Sequence, residues 1–193
     1  MLTQTKMKNI FILAFIMLTS QQLKAQIIIP IEEYRTYRNS PNPLPENSYF
    51  KDVNHVLDQY IGTWRGEQNS KTYVFYVTKE LHNFLGIKED RLVIRYTINS
   101  ANGQLIEDSR NDPSNSAKVV KGFLYNTLGG YSMRYNYNYN AGMVCFVDIK
   151  QSGISNKIYL KLTINAGLVL ESQAEVGNQA ALLPTDQILL TKQ

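Results

Sequence analysis

Short segments with an alternation of apolar and polar residues, separated by turns rich in glycine and asparagine, dominate the chain from residue 72 onwards. A period of two residues is typical of β-strands whose two faces meet different surroundings. One face of RLVIRYTIN (residues 91–99), for example, carries Leu92, Ile94, Tyr96 and Ile98. Strands are predicted in the same way at residues 72–79, 118–126, 132–140, 143–150, 157–165, 168–176 and 187–192.

The turns between these segments predict antiparallel neighbours. Asn102–Gly103 is a strong hairpin signal, because a tight hairpin turn needs two residues that tolerate a positive φ. Many short strands joined by tight turns are typical of barrels and sandwiches. We therefore predict an all-β fold consisting of a single antiparallel barrel of eight to ten strands, with a β-sandwich as the alternative.

The N-terminus predicts export. Lys6 and Lys8 precede an apolar run over residues 9–18, and Ala25 is a small residue at a suitable cleavage position. This order is that of a secretory signal peptide, and the run is shorter than the roughly 20 apolar residues of a membrane-spanning helix. We expect cleavage after Ala25, which gives a mature chain that begins at Gln26 in the periplasm or outside the cell.

The mature chain divides into a leader and one domain. Residues 26–49 carry four of the six prolines, which favours an extended strap. FKDVNHVLDQY (residues 50–60) has apolar residues three and four positions apart, which predicts one short amphipathic helix. We therefore expect a signal peptide over residues 1–25, a leader over 26–49 and a β-barrel domain over 50–193.

The net charge and the lengths of the predicted strands exclude some classes of partner. The formal net charge of +4 falls to +1 once Lys6, Lys8 and Lys24 leave with the signal peptide. The remaining basic residues are scattered, whereas nucleic-acid binding favours a basic stripe, so no nucleic-acid partner is expected.

An outer-membrane barrel is a further alternative, but most predicted strands are shorter than the roughly 9–11 residues that cross a membrane. We therefore do not expect an integral membrane protein.

The sequence lacks the usual catalytic and metal-binding motifs. His55, expected on the solvent face of the helix, and His82, expected in a loop, lack metal-ligand spacing, and no Gly-x-Ser-x-Gly elbow is present. Cys145, the single cysteine, shares its strand face with apolar residues, which indicates a buried thiol rather than a nucleophile. We predict a non-catalytic protein without metal or cofactor.

Gly62 and Trp64 follow the predicted helix directly, at the start of the first strand of the barrel domain. A lone tryptophan beside a glycine is usually a core residue, so we interpret both as structural. The arrangement resembles the entry of lipocalins and their calycin relatives, in which this tryptophan plugs the closed end of the barrel against a basic residue late in the chain. That resemblance implies a calycin-like barrel in which Lys192 packs against Trp64.

A second resemblance covers nearly the whole mature chain. YFKDVNHVLDQYIGTWRG, KEDRLVIRYTINSANGQLIED and the ending LLPTDQILLTKQ are similar to a family of small secreted bacterial proteins, domain of unknown function 6705. Residues 128–140 depart from that pattern, since they are richer in tyrosine. The resemblance implies secretion and a β-rich fold, and it implies no activity.

The tyrosine-rich strand supplies the first candidate ligand-binding residues. Tyr135, Tyr137 and Tyr139 share one face of the predicted strand 132–140, and each ring offers an apolar surface and a hydroxyl to a ligand. The alternative is a strand whose tyrosines are half-buried against neighbouring strands.

A second candidate is the connection over residues 80–90, predicted as a loop. It carries Phe84 and Leu85, and it is unusually apolar for a solvated connection. If Trp64 and the predicted helix close one end of the barrel, this loop and the loop over residues 108–117 line the other end.

These residues predict that the protein binds a small apolar or amphipathic molecule at the open end of its barrel. The alternative is a structural, protein-binding or glycan-binding module with a filled interior. An eight-stranded barrel is just wide enough either to fill itself or to hold one small ligand. Large side chains such as Tyr73, Phe75 and Tyr96 are candidates to fill it.

Overall fold

The alternating segments of the sequence form the β-strands. The structure, a computed structural model, describes residues 25–126, 130–135, 144–165 and 183–193. β-Branched and aromatic side chains at every second position suit a pleated surface with one buried face. The described strands are β1 (Ile27–Pro30), β2 (Ser48–Lys51), β3 (Gly62–Gln68), β4 (Lys71–Phe84), β5 (Ile87–Ser100), β6 (Leu105–Asp108), β7 (Val120–Asn126), β8 (Gly130–Tyr135), β9 (Val144–Gln151), β10 (Lys157–Asn165) and β11 (Ile188–Lys192).

Eight of these strands close into an antiparallel barrel. Their hydrogen-bonded order is β5-β4-β3-β11-β10-β9-β8-β7, and β7 pairs back with β5 to complete the ring. The pairing that closes the ring consists of two residue pairs, Val93 with Lys121 and Ile94 with Val120. The predicted antiparallel barrel is confirmed, and its closure excludes the β-sandwich alternative.

Large side chains on the inward faces of the strands occupy the interior of the barrel. β4 contributes Tyr73, Phe75 and Val77, all buried. The ring of Phe75 lies 6.3 Å from that of Tyr96 on β5, and Tyr96 lies at the same distance from Tyr135 on β8. Burial of these apolar faces is the main source of stability for a domain of this size.

The prediction of a helix over residues 50–60 is wrong. This segment begins with the end of β2 and ends in a 3-10 turn at Asp58–Tyr60. His55 has a φ of 58°, outside the helical region, so no helix continues through it. The carboxylate of Asp52 accepts the backbone N–H groups of Val56 and Leu57, at 2.8 and 3.2 Å, and a side-chain cap thus replaces the helical hydrogen bonds.

The one short helix of the described chain lies instead in the leader predicted to be extended. A 3-10 turn (Ile31–Glu33) leads into α1 (Tyr34–Arg38). The stretch between Pro30 and Pro41 contains no proline and can therefore form helical turns. Tyr34 and Tyr37 place their rings edge-on against Phe50, at 4.8 and 5.9 Å, and this contact holds α1 against β2.

β4 and β5 continue beyond the barrel as a projecting hairpin. Gly62, the first residue of β3, pairs with Val77, so the remaining residues of β4 extend past the barrel wall. β2 pairs in parallel with β5 at Lys88 and Glu89, and β1 pairs in parallel with β2. We call this four-stranded extension the flap; it consists of β1, β2, residues 79–84 of β4 and residues 87–90 of β5.

The flap corrects two expectations about the ends of the barrel. Residues 80–90 are two strands joined by the tight turn Leu85–Gly86 rather than a loop. The Gly62–Val77 pairing places this hairpin at the Trp64 end of the barrel rather than at the opposite end. The segment 108–117 lies along the outward face of the barrel, where Arg95 donates to the carbonyl of Asp112 at 3.0 Å.

Candidate functional site

Gly62, Trp64 and Lys192, the predicted structural residues, lie together. Trp64 is 2% exposed, and its indole N–H donates to the carbonyl of Tyr60 at 2.7 Å. Lys192 pairs with Trp64 across β3 and β11, and its amine lies 5.3 Å from the indole ring. A Cβ on Gly62 would lie 2.7 Å from Cε of Lys192, so a larger residue at this position would displace the end of the lysine side chain.

The predicted ligand-binding residues lie in different places. Phe84 and Leu85 are exposed at the end of the flap, where the Phe84 ring stacks at 6.4 Å on that of His82. Tyr135 is 1% exposed inside the barrel, and its hydroxyl lies 2.6 Å from that of Tyr96. Tyr137 and Tyr139 lie outside the described residues. The structure therefore does not bring Tyr135 to Phe84 and Leu85.

The flap ends in three exposed apolar side chains that we call the flap tip: Leu81 on one face of the hairpin, Phe84 on the other face beside His82, and Leu85 in the turn. Their exposed fractions are 59%, 64% and 86%. Ile27 and Ile28 on β1, also exposed, lie at the same end, because β1 and β2 run beside the start of β5. The sequence identified the apolar character of this segment but placed it in a loop.

Polar groups at the base of the flap fix its position on the barrel. The amine of Lys79 lies 3.0 Å from the buried carboxylate of Asp52 and 2.5 Å from that of Asp58. Asp90 accepts the hydroxyl of Tyr49 at 2.7 Å and the backbone N–H of Asp52 at 2.9 Å. Burial, followed by this hydrogen bond to Asp90, raises the pKa of Tyr49 to about 12. The carboxylates of Asp52, Asp58 and Asp90 therefore form contacts that hold the flap in place.

The other groups considered for catalysis are separated by the fold. Burial raises the pKa of the Cys145 thiol, which lies inside the barrel. Burial and the charge of Arg91 lower the pKa of His82 on the flap. His55 is exposed and contacts the carboxylate of Asp58 at 2.8 Å. In the described ranges, no three or more histidine, cysteine, aspartate and glutamate side chains form a group that is able to hold a metal ion.

A polar cleft of about 660 Å³ lies beside the turns that join β3 to β4 and β5 to β6. Arg65, Glu67 and Thr72 from the barrel wall line it together with Asn99 and Ser100. Arg65 pairs with Glu67 at 3.0 Å, so these two charges compensate each other.

No helix in the described part of the chain has the length and apolar character that crossing a membrane requires.

Comparisons with known proteins assign the chain to a family. No curated protein and no solved structure matches it. A family model described as a family of unknown function, DUF6705, matches residues 7–193. This match extends from the N-terminal apolar segment through the barrel to the last residue of β11 and beyond it to Gln193. The chain belongs to the family of unknown function DUF6705.

Proposed function

We propose that the protein is an exported, non-catalytic interaction module that docks onto a partner protein through the flap tip. The observation that carries this proposal is the exposure of Leu81, Phe84 and Leu85 at the end of a projecting hairpin. Exposed apolar side chains that are gathered at the end of a projecting element are typical of interaction sites, because a folded monomer gains by burying them. Export is supported by the basic and apolar segments that precede Ala25.

The backbone of the flap tip supports a functional role for Leu85. Leu85 has a φ of 51° and Gly86 a φ of 81°, so both residues of this turn are in the left-handed region. Asparagine is preferred before glycine in such a turn, whereas leucine costs about 1–2 kcal/mol there. An exposed leucine in an unfavourable backbone conformation contributes little to folding, and a contact with a partner would explain why it is there.

The edges of the flap favour a protein over a lipid surface. Among the described strands, β1 pairs only with β2, and residues 78–84 of β4 pair only with β5. Their outer edges therefore present backbone N–H and C=O groups. A partner strand satisfies such groups by adding to the sheet, whereas each unpaired group costs several kcal/mol in the core of a bilayer.

The large side chains inside the barrel support binding outside it. Tyr73, Phe75, Tyr96 and Tyr135 occupy the space that a small apolar ligand would need inside an eight-stranded barrel. A small apolar or amphipathic molecule, the second candidate, would have to bind at the exposed Phe84–His82 stack instead. The absence of a catalytic role is supported by the occupied carboxylates at the base of the flap.

Site-specific photo-crosslinking in cells that export the protein tests this proposal. A benzophenone amino acid at position 85 should give a discrete protein adduct, whereas the same group at position 106, also exposed but on β6, should give none. Phe84→Asp in the position-85 chain should remove the adduct and change Tm by less than about 2 °C, because exposed substitutions rarely alter stability.

Three results would overturn the proposal. The first is an adduct with lipid at position 85, and the second is no adduct there. The third is a Phe84→Asp variant that unfolds as readily as Phe75→Asp, which places a charge in the barrel interior.

A further inference from the structure

Two guanidinium groups lie against one phenylalanine ring on the outside of the protein. Cζ of Arg38 lies 4.4 Å and Cζ of Arg134 lies 3.9 Å from the centroid of the Phe123 ring. The two carbons are therefore no more than about 8 Å apart, and each is held by cation–π attraction. Both arginines are exposed.

Four elements of the fold bring positive charge to this ring. Arg38 is the last residue of α1 and Arg134 lies on β8. Lys121 on β7 lies directly opposite Arg134 in the strand register. Burial and the nearby charge of Arg91 on β5 lower the pKa of Lys121, which places Arg91 in the same group. We call Arg38, Arg91, Lys121 and Arg134 the cation cluster.

The members of the cation cluster form no salt bridges in the ranges that the structure describes. Nε of Arg91 is buried there without a hydrogen-bond partner. Other arginines of the protein do pair with carboxylates: Arg65 with Glu67, Arg95 with Glu80 and Arg110 with Asp108.

Glu89 and Asp148 lie near the cluster, and neither forms a salt bridge with a member of it in the described ranges. Glu89 interacts with Arg91, but burial raises the pKa of its carboxyl more than this charge lowers it. Asp148 on β9 accepts the hydroxyl of Ser132 on β8. Like charges on neighbouring strands are unfavourable, so an arrangement of this kind gains stability when an anion binds.

The chemistry of stacked guanidinium groups indicates what this anion is. A guanidinium that lies against a ring keeps its N–H donors in its own plane, where they are free to bind oxygens in pairs. A phosphate monoester offers three acceptor oxygens and nearly two negative charges, whereas a carboxylate offers two oxygens and one charge. We propose that the cation cluster binds a phosphate group, with Arg38 and Arg134 donating to its oxygens and Lys121 adding a third positive charge.

This inference goes beyond the proposed docking function and does not depend on the flap tip. Isothermal titration of the mature protein with inorganic phosphate at low ionic strength should give saturable binding in the millimolar range. Arg134→Gln and Arg38→Gln should each weaken binding at least tenfold. Arg134→Lys, which keeps the charge but loses the planar pair of donors, should weaken it about fivefold.

Arg35→Gln is the matched control, because Arg35 is an exposed arginine on the same helix. It should change phosphate affinity less than twofold. Absence of saturable binding to the wild type would overturn the proposal, and so would an equal loss in Arg35→Gln and Arg134→Gln, since the effect would then be one of net charge. Circular dichroism of each variant separates loss of binding from loss of fold.

Two further titrations distinguish the sources of the phosphate. Glucose 6-phosphate represents a soluble phosphorylated sugar, and vesicles that contain phosphatidic acid represent a lipid headgroup. Either one, if it binds more tightly than inorganic phosphate and is weakened by Arg134→Gln, supports the site and assigns its ligand. Binding of neither, despite binding of inorganic phosphate, would contradict a site for phosphate monoesters.

Discussion

At the scale of single residues, a tryptophan, a lysine and a glycine pack together at one end of the barrel. Trp64 anchors β3 through its indole N–H, and Lys192 brings β11 over the indole ring. Gly62 has a φ of 136° and leaves room for the lysine stem. The sequence predicted a structural role for these residues from a short motif. It did not indicate that Gly62 leaves space for the side chain of Lys192, because these two residues are far apart in the sequence.

Trp64→Ala should lower the free energy of unfolding by about 3–5 kcal/mol, because it leaves a large cavity in a well-packed interior. Urea denaturation measures this loss. A variant as stable as the wild type would show that Trp64 is not a packing residue.

Gly62→Ala should be destabilising on its own, and less so in a Lys192→Ala background, because the clash with Cε of Lys192 is then absent. The coupling in this double-mutant cycle should be about 1 kcal/mol. Additive effects would mean that the glycine is required only for its φ, which Lys192→Ala leaves unchanged.

At the scale of elements, the strands were predictable and the N-terminal segment was not. Alternation identified β4 and β10 because each has one buried face, and it identified β5 although Val93 and Thr97 on its second face are buried as well. The apolar spacing of residues 50–60 indicated a helix, but Phe50 is buried from a strand and Leu57 from a turn. Phe50 is apolar because it packs against α1, so the helix-like spacing of apolar residues in this segment does not reflect a helix. The hairpin turn at Leu85 was missed because leucine rarely has a positive φ.

Leu85→Asn should raise the free energy of unfolding by about 0.5–1 kcal/mol, since asparagine before Gly86 suits a turn with two positive φ angles. Thermal denaturation measures this gain, with Leu81→Asn as the control, because Leu81 lies within β4 rather than in the turn. A Leu85→Asn variant that is less stable than the wild type would show that the leucine packs within the protein.

At the scale of the whole molecule, the closed barrel could be predicted as one of two all-β architectures, but the groups on its outside could not. Ring closure depends on two residue pairs between β5 and β7, which no local pattern reveals. The cation cluster likewise joins residues far apart in the chain, of which Arg38 comes from the leader. The sequence indicated that Phe84 and Leu85 are apolar residues in a solvated connection, but apolar character alone does not reveal that they lie on a projecting hairpin.

The barrel should lose stability at alkaline pH. Burial, followed by the charge of Tyr125, raises the pKa of Tyr60 from 10.0 to about 12. The folded state therefore holds this proton more tightly than the unfolded state, so stability is complete below pH 10 and falls between pH 10 and about 12. Urea unfolding at pH 8, 10 and 11.5 should show a loss that Tyr60→Phe reduces. The same loss in the variant would exclude Tyr60 as its source.

We infer that this chain is exported and that it binds its partners on the outside of a barrel whose interior is occupied by its own side chains. Native mass spectrometry of the protein recovered from the periplasm or medium of cells that export it tests this claim directly. We predict one species with the mass of a chain that begins at Gln26, without a bound molecule of lipid size. A species that retains Lys24 would contradict the predicted cleavage site. A co-purified lipid-sized ligand that is lost in a Tyr96→Trp variant, which enlarges an interior side chain, would contradict the filled barrel.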